Sequence, residues 1–150
     1  MNDPSFQDLA GHIVVGFDGS EGSRAALKWA VAQAEFTHSP LTIVSTWSTP
    51  SNVDNVQVVP AIDDHWGHAN ATAESALSLL TEFSSISAST LIVEGHPATA
   101  LVECSREASL IVVGSRGHGA FVGMLLGSVS QHVAAHAHCP VAVIRGSLAP

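Results

Sequence analysis

Apolar positions along this chain recur in two periods, and the alternation between them lays out a series of elements. His12-Ile13-Val14-Val15-Gly16-Phe17 is a short, mostly apolar run closed by Asp18-Gly19-Ser20, which predicts a buried strand and then a turn. Ala25, Ala26, Trp29, Ala30 and Gln33 follow at helical spacing, with Ser20 placed to cap the helix and Glu21 in its first turn. That helix is expected to reach about Phe36, and His38-Ser39-Pro40 punctuates its end. Leu41 to Trp47 reads as a second strand. Ser48 to Asp64 holds Pro50, Asn52, Asp54 and Pro60 without helical period and reads as a long loop. From His65 to Phe83 the helical period returns through Ala69, Ala73, Ala76, Leu77 and Leu80.

The second half repeats the pattern. Leu91 to Glu94 predicts a third strand, closed by Gly95-His96-Pro97, and Ala98 to Glu107 a short helix with Leu101 and Cys104 facing inward. Leu110 to Val113 predicts a fourth strand, followed by a glycine-rich loop. Ser128 opens a helix to about Ala137, and Pro140 to Ile144 forms the last strand. Strands apolar on both faces, alternating with helices, imply one doubly wound, five-stranded parallel sheet with helices on both faces, an α/β fold. Met1–Ala10 and 147–150 are read as tails around one domain over residues 11–146.

Composition narrows the function. Hydrophobic residues make up 46% of the 150 and charged residues 12%, the balance of a folded globule. The formal net charge is −8 with five Lys and Arg in all, which argues against nucleic acid and anionic membrane surfaces as partners. Any phosphate ligand must then be held by backbone N–H groups, helix dipoles and a metal ion rather than by a lysine clamp. Cys104 and Cys139 lie far apart in no zinc pattern and are read as reduced, inert, buried thiols. Met1 to Ala10 has no apolar leader core and no run reaches transmembrane length, so a cytoplasmic setting is expected.

In such a sheet ligands sit beyond the carboxyl ends of the strands, where the winding reverses. If the first and fourth strands are neighbours, Gly16-Phe17-Asp18-Gly19-Ser20 meets Gly114-Ser115-Arg116-Gly117-His118-Gly119 there, and the second loop runs on to Gly127-Ser128-Val129-Ser130 at a helix start. Glycines permit close backbone approach, the helix N-terminus offers N–H groups and partial positive charge, and Ser128 and Ser130 offer hydroxyls. The result is an anion cradle nearly devoid of basic side chains.

The spacing Gly114, Gly117, Gly127-Ser128 reproduces the G-x2-G-x9-G-[S/T] motif of ATP-binding universal stress proteins, and the chain resembles that family over roughly residues 11–146. Val14-Val15-Gly16-Phe17-Asp18-Gly19-Ser20, Gly95-His96-Pro97 and His138-Cys139-Pro140-Val141-Ala142-Val143 resemble its other landmarks. The resemblance implies a Rossmann-like sheet of the adenine nucleotide alpha hydrolase kind and a regulatory, ATP-binding role in stress response. It places Asp18 at the ribose or the metal-phosphate region, and Gly16 and Thr46 at the adenine border with Val113 packed nearby. Gly114, Gly117, Gly127, Ser128, Val129 and Ser130 would hold ribose and phosphates. It also implies a homodimer through Val141–Ile144, and Mg²⁺ on the phosphates.

Each signal has a plainer reading. The glycine loop also suits a tight connection in a nucleotide-free, partner-binding dimer, and Asp18 also suits a turn cap beside Gly19. Arg116 reaches a phosphate or is solvated; His118 is read as a solvated loop residue. His65 and His68, three apart, and His132 and His136, four apart, lack a third ligand at fitting spacing and are read as solvated or packed. Trp29, Trp47 and Trp66 are assigned to packing, Trp47 beside the proposed adenine edge. No residue is assigned a catalytic or metal-ligating role. No Walker A sequence occurs, so ATP hydrolysis is at most slow. A dinucleotide oxidoreductase is disfavoured because Asp18 stands at the second position of its Gly-x-Gly-x-x-Gly fingerprint. A cyclic AMP sensor on the same scaffold remains an alternative.

Overall fold

A computed structural model describes residues 6–48, 62–80, 85–116 and 126–146. Strands and helices alternate as β1 (Ile13–Gly16), α1 (Glu21–Thr37), β2 (Leu41–Trp47), α2 (Ile62–Leu79), β3 (Ala88–Glu94), α3 (Pro97–Cys104), β4 (Leu110–Gly114), α4 (Ser128–His136) and β5 (Val141–Ile144). The strands form one parallel sheet in the order β3-β2-β1-β4-β5. β1 therefore pairs with both β2 and β4, Ile13 standing opposite Leu41 on one side and Leu110 on the other. The doubly wound α/β sheet expected from the sequence is the fold observed, and its reversal point lies between β1 and β4.

Alternation along each strand sends side chains to two cores. Ile13, Val15, Leu41, Ile43 and Val112 face one side, where Ala26, Leu27, Ala30, Val31 and Ala34 of α1 and Ala76 of α2 cover them. Val14, Val44, Ile111 and Val113 face the other, under Leu101 and Cys104 of α3 and Val133 of α4. Burial pushes the Cys104 thiol up to about 12. Cys139 is half-buried rather than buried, and desolvation raises its thiol as well.

The ends of the chain's elements correct several expectations. α1 buries Ser23, Ala26, Leu27, Ala30, Val31 and Ala34, a face turned one position from the expected one. Alanines at four-residue intervals let the helix sit close on the sheet, and Trp29, too large for that seam, lies on its flank at 38% exposure. Trp66 is likewise 49% exposed rather than packed, whereas Trp47 is half-buried. α2 starts at Ile62 and ends at Leu79, so the loop expected over Ser48–Asp64 stops three residues sooner; the loop's 49–61 and the tail's 147–150 lie outside the described residues. β3 begins at Ala88, because Ser89 and Thr90 interrupt the apolar run without interrupting the pairing.

The largest departure concerns residues 6–10 of the expected tail, 1–5 lying outside the described residues. Phe6–Asp8 form a 3-10 turn, and Leu9 is fully buried against the α3 and α4 side of the sheet. The His12 N–H donates to the Leu9 carbonyl at 2.9 Å, and Ser109 N–H in turn donates to the His12 carbonyl at 2.9 Å. The segment is thus tied to the start of β4. A single leucine in a polar stretch has no period, which is why the pattern missed it. Leu9→Ala is expected to cost about 2–5 kcal/mol in urea unfolding, as for other buried leucines; a tail residue would leave the midpoint unchanged.

Candidate functional site

β1 and β4 end side by side, and the turn after β1 is fixed by short-range bonds. Phe17 N–H donates to the Val44 carbonyl at 2.9 Å, and the Ser45 hydroxyl donates to the buried Phe17 carbonyl at 2.8 Å. Asp18 Oδ1 accepts the Ser20 N–H at 2.9 Å across Gly19, whose φ of +83° is the left-handed conformation that glycine adopts without strain. Ser20 caps α1, its hydroxyl accepting the Ser23 N–H at 3.2 Å. Asp18 thus shapes the turn while its carboxylate stays exposed at the lip of the crevice.

The exit of β4 is held just as tightly. Ser115 N–H donates to the Ile144 carbonyl at 2.8 Å, and the Ser115 carbonyl accepts the Gly127 N–H at 2.6 Å. The buried Ser130 hydroxyl lies 3.0 Å from both the Ser115 and the Gly127 carbonyls. The two ends of the glycine-rich segment are therefore clasped together at the root of α4. Beside them runs the first turn of α1, in backbone contact. A Cβ on Gly114 would stand 2.7 Å from the Gly22 carbonyl oxygen, and one on Gly22 would fall inside the shell of the Arg116 carbonyl oxygen. Gly146, just after β5, approaches the same place, where an added Cβ would meet Gly22 Cα at 3.9 Å.

α4 opens into this junction with Gly127 as its N-cap, a residue with no side chain to cap that end. Its first internal bond runs from Gln131 N–H to the Gly127 carbonyl at 3.0 Å, so the helix offers no acceptor to the N–H groups of Ser128, Val129 and Ser130. α1 and α3 differ: Ser20 caps one, and His96 Nδ1 accepts the Ala98 N–H at 3.4 Å on the other. Three backbone donors and the positive end of a helix dipole are what an anionic group needs.

Most of the described candidate residues gather at one end of the sheet. Gly16, Asp18, Gly114, Arg116, Gly127, Ser128 and Val129 all stand at the carboxyl ends of β1 and β4 or at the start of α4. Thr46, half-buried, lies beyond the last β1–β2 pair, opposite Val93 of β3. Val113 packs into the core beneath Leu101 and Val133. Ser130 spends its hydroxyl on the clasp. Gly117 and His118 lie outside the described residues. Gly22 escaped the sequence reading, although a glycine in the first turn of a helix facing a glycine loop was the available signal. Arg24, in that same turn, and Arg145, next to Gly146, were also passed over; with Arg116 they put three of the chain's five Lys and Arg residues on segments at this end.

Three groups with displaced protonation lie at the other end of the strands. Burial lowers the His12 pKa against an opposing pull from Asp8, and His12 Nδ1 sits 2.7 Å from Thr42 Oγ1 at the amino ends of the strands. Cys104 and Cys139 precede β4 and β5 at that same end. Among the described residues no group of three or more His, Cys, Asp or Glu is placed to hold a metal ion, and no helix is long and apolar enough to cross a membrane.

Residues 10–145 match the sequence model of the universal stress protein family. A universal stress protein of Mycobacterium tuberculosis is 38% identical over 141 residues, which cover 91% of this chain and 46% of that protein. One of Mycolicibacterium smegmatis is 32% identical over 149 residues, 96% of this chain and 49% of that one. The chain spans about half the length of the curated relatives it matches. Among solved structures, the universal stress protein UspA from Lactobacillus plantarum superposes with a TM-score of 0.77 at 26% identity, covering 91% of this chain and 99% of that one. A universal stress protein in complex with cAMP superposes at 0.70 with 29% identity, covering 91% and 97%.

Because the atom facing Gly22 is a backbone carbonyl that cannot swing aside, Gly22→Ala is expected to lift α1 off β4 and lower stability by about 1–3 kcal/mol. Gly67→Ala, in α2 with open space around its Cβ position, is expected to raise stability by up to about 1 kcal/mol. Paired urea melts of the two variants check both signs.

Proposed function

The chain belongs to the universal stress protein family, and we propose that it binds an adenine nucleotide, ATP foremost, in the crevice between the ends of β1 and β4. The observation that carries this reading is the N-terminus of α4, where three backbone N–H groups without a side-chain cap follow directly on the glycine-rich segment. This is phosphate recognition by backbone, suited to a chain with five Lys and Arg residues. Gly16 and Thr46 border the adenine, and Asp18 is the exposed carboxylate for the ribose or for Mg²⁺ on the phosphates. Gly114, Gly117, Gly127, Ser128, Val129 and the Ser130 N–H hold ribose and phosphates, with Arg116 at the rim. The protein acts as a cytoplasmic regulator in stress response whose nucleotide occupancy governs what it recruits, with hydrolysis slow at most. Nucleic acid and membranes are not partners on this reading, in keeping with the net charge of −8.

A second reading, cyclic AMP as the ligand, draws support from the 29% identical structure solved with that nucleotide. Identifying the nucleotide released from freshly purified protein by mass spectrometry, then titrating stripped protein with Mg-ATP, ADP, cyclic AMP and NAD, separates the two. ATP is expected to bind most tightly; preference for cyclic AMP would transfer the proposal to it, and no binding at all would leave a partner-binding dimer. Ser128→Pro tests the backbone donors directly, because proline is well tolerated at the first helical position yet removes its N–H. Loss of one donor is expected to weaken ATP about tenfold, some 1.4 kcal/mol, with circular dichroism unchanged.

We also propose a homodimer through β5. Pro140 and Ile144 carbonyls accept from Ile111 and Ser115, so by the two-residue alternation Val141 and Val143 turn their N–H and C=O groups to the open edge. Val143→Pro removes one of those edge donors and is expected to shift the species to monomer in size-exclusion chromatography with light scattering. A dimer that persists would move the interface elsewhere.

A further inference from the structure

Away from the crevice, α4 carries two histidines that the nucleotide reading does not use. We propose that His132 and His136 form a two-nitrogen surface site for a divalent transition-metal ion, copper(II) by preference. Both side chains are exposed, and their ring centroids stand 4.5 Å apart with the planes tilted by 46°. A ligating imidazole holds its ring centre about 3.1–3.2 Å from the metal, given a nitrogen–metal bond of about 2.0–2.1 Å. Two rings at right angles about one ion therefore have centroids about 4.5 Å apart, and at a tetrahedral angle about 5 Å apart. The observed separation is thus one that two imidazoles sharing a single ion can adopt.

Rotation of each ring about its second side-chain torsion, a soft one, turns a nitrogen of each toward a common ion while the helix stays as it is. α4 carries no Asp, Glu, Lys or Arg, so no ion pair competes for either imidazole from the same helix. His136 lies in the last turn, where the helix dipole favours positive charge. With no third His, Cys, Asp or Glu placed beside the pair among the described residues, water completes the coordination, and copper leads the divalent series for such nitrogen sites. The four-residue spacing brings the rings together only while the helix is formed, so the ion binds the folded chain and stabilises it.

The test titrates untagged, chelator-stripped full-length protein with copper(II) chloride, followed by calorimetry, thermal melting and electron paramagnetic resonance. One equivalent bound through nitrogen, with a rise in Tm, is expected for the unaltered protein. Both signals are expected to vanish in His132→Gln and in His136→Gln, and to persist in His38→Asn, a histidine on another element. Glutamine is at home on an exposed helix face, so these variants keep their fold. Copper bound equally well by the two single variants, or no bound equivalent in the unaltered protein, overturns the proposal.

Discussion

Everything in this molecule is arranged around the pairing of β1 with β4. Ile13, Val14 and Val15 lie in register with Leu110, Ile111 and Val112, joining two stretches of chain separated by two strands and three helices of sequence. That pairing makes the first half of the chain wind outward through β2 and β3 on one side while β5 is added on the other. It sends α1 and α2 to one face and α3 and α4 to the opposite one. The two loops leaving the paired strands lead to helices on opposite faces, and such a reversal is where α/β sheets bind ligands. Fold and site follow from the same contact.

The crevice is lined by backbone more than by side chains. Gly22 and Gly114 bring a helix and a strand end to within carbonyl contact, a proximity that any Cβ would forbid. α4 then starts at Gly127, whose N–H is bonded to the Ser115 carbonyl at the same strand end. A chain of net charge −8 cannot gather cations by composition, so attraction for an anion has to come from oriented dipoles, with Arg24, Arg116 and Arg145 on the segments around it. His12, Cys104 and Cys139, whose protonation burial displaces, sit at the opposite end of the strands. Oriented backbone at one end and desolvated titratable groups at the other make the molecule chemically polar along its strands.

Most of the fold was legible in the sequence because buried parallel strands are short, continuously apolar and separated by amphipathic helices. The alternation of Val14 and Val15 between two cores, by contrast, leaves no trace in hydropathy, since both sides are apolar. Legibility failed where a single residue carries the contact: Leu9 has no periodic partner, and Trp29 looks like core by hydrophobicity but is too large for an alanine-lined seam. The glycine motif pointed to a candidate site, and its members Gly114 and Gly127 lie on either side of the Ser115 clasp. Ser130 was half legible, because a serine in a glycine-rich segment reads as a ligand donor whether its hydroxyl points out or, as here, back to the Ser115 carbonyl. Gly22 was hidden because its constraint comes from Arg116, far along the chain.

The clasp of Ser115, Gly127 and Ser130 separates the anchoring of the glycine-rich segment from its content. Its ends are joined by protein alone, so the entropy of bringing them together is met on folding rather than on encounter with a ligand. Once the ends are joined, lengthening the segment between them costs little, about 0.6 kcal/mol for each doubling. The stability of the sheet is therefore nearly indifferent to that segment's length, which leaves the spacing of its glycines to be set by whatever it binds.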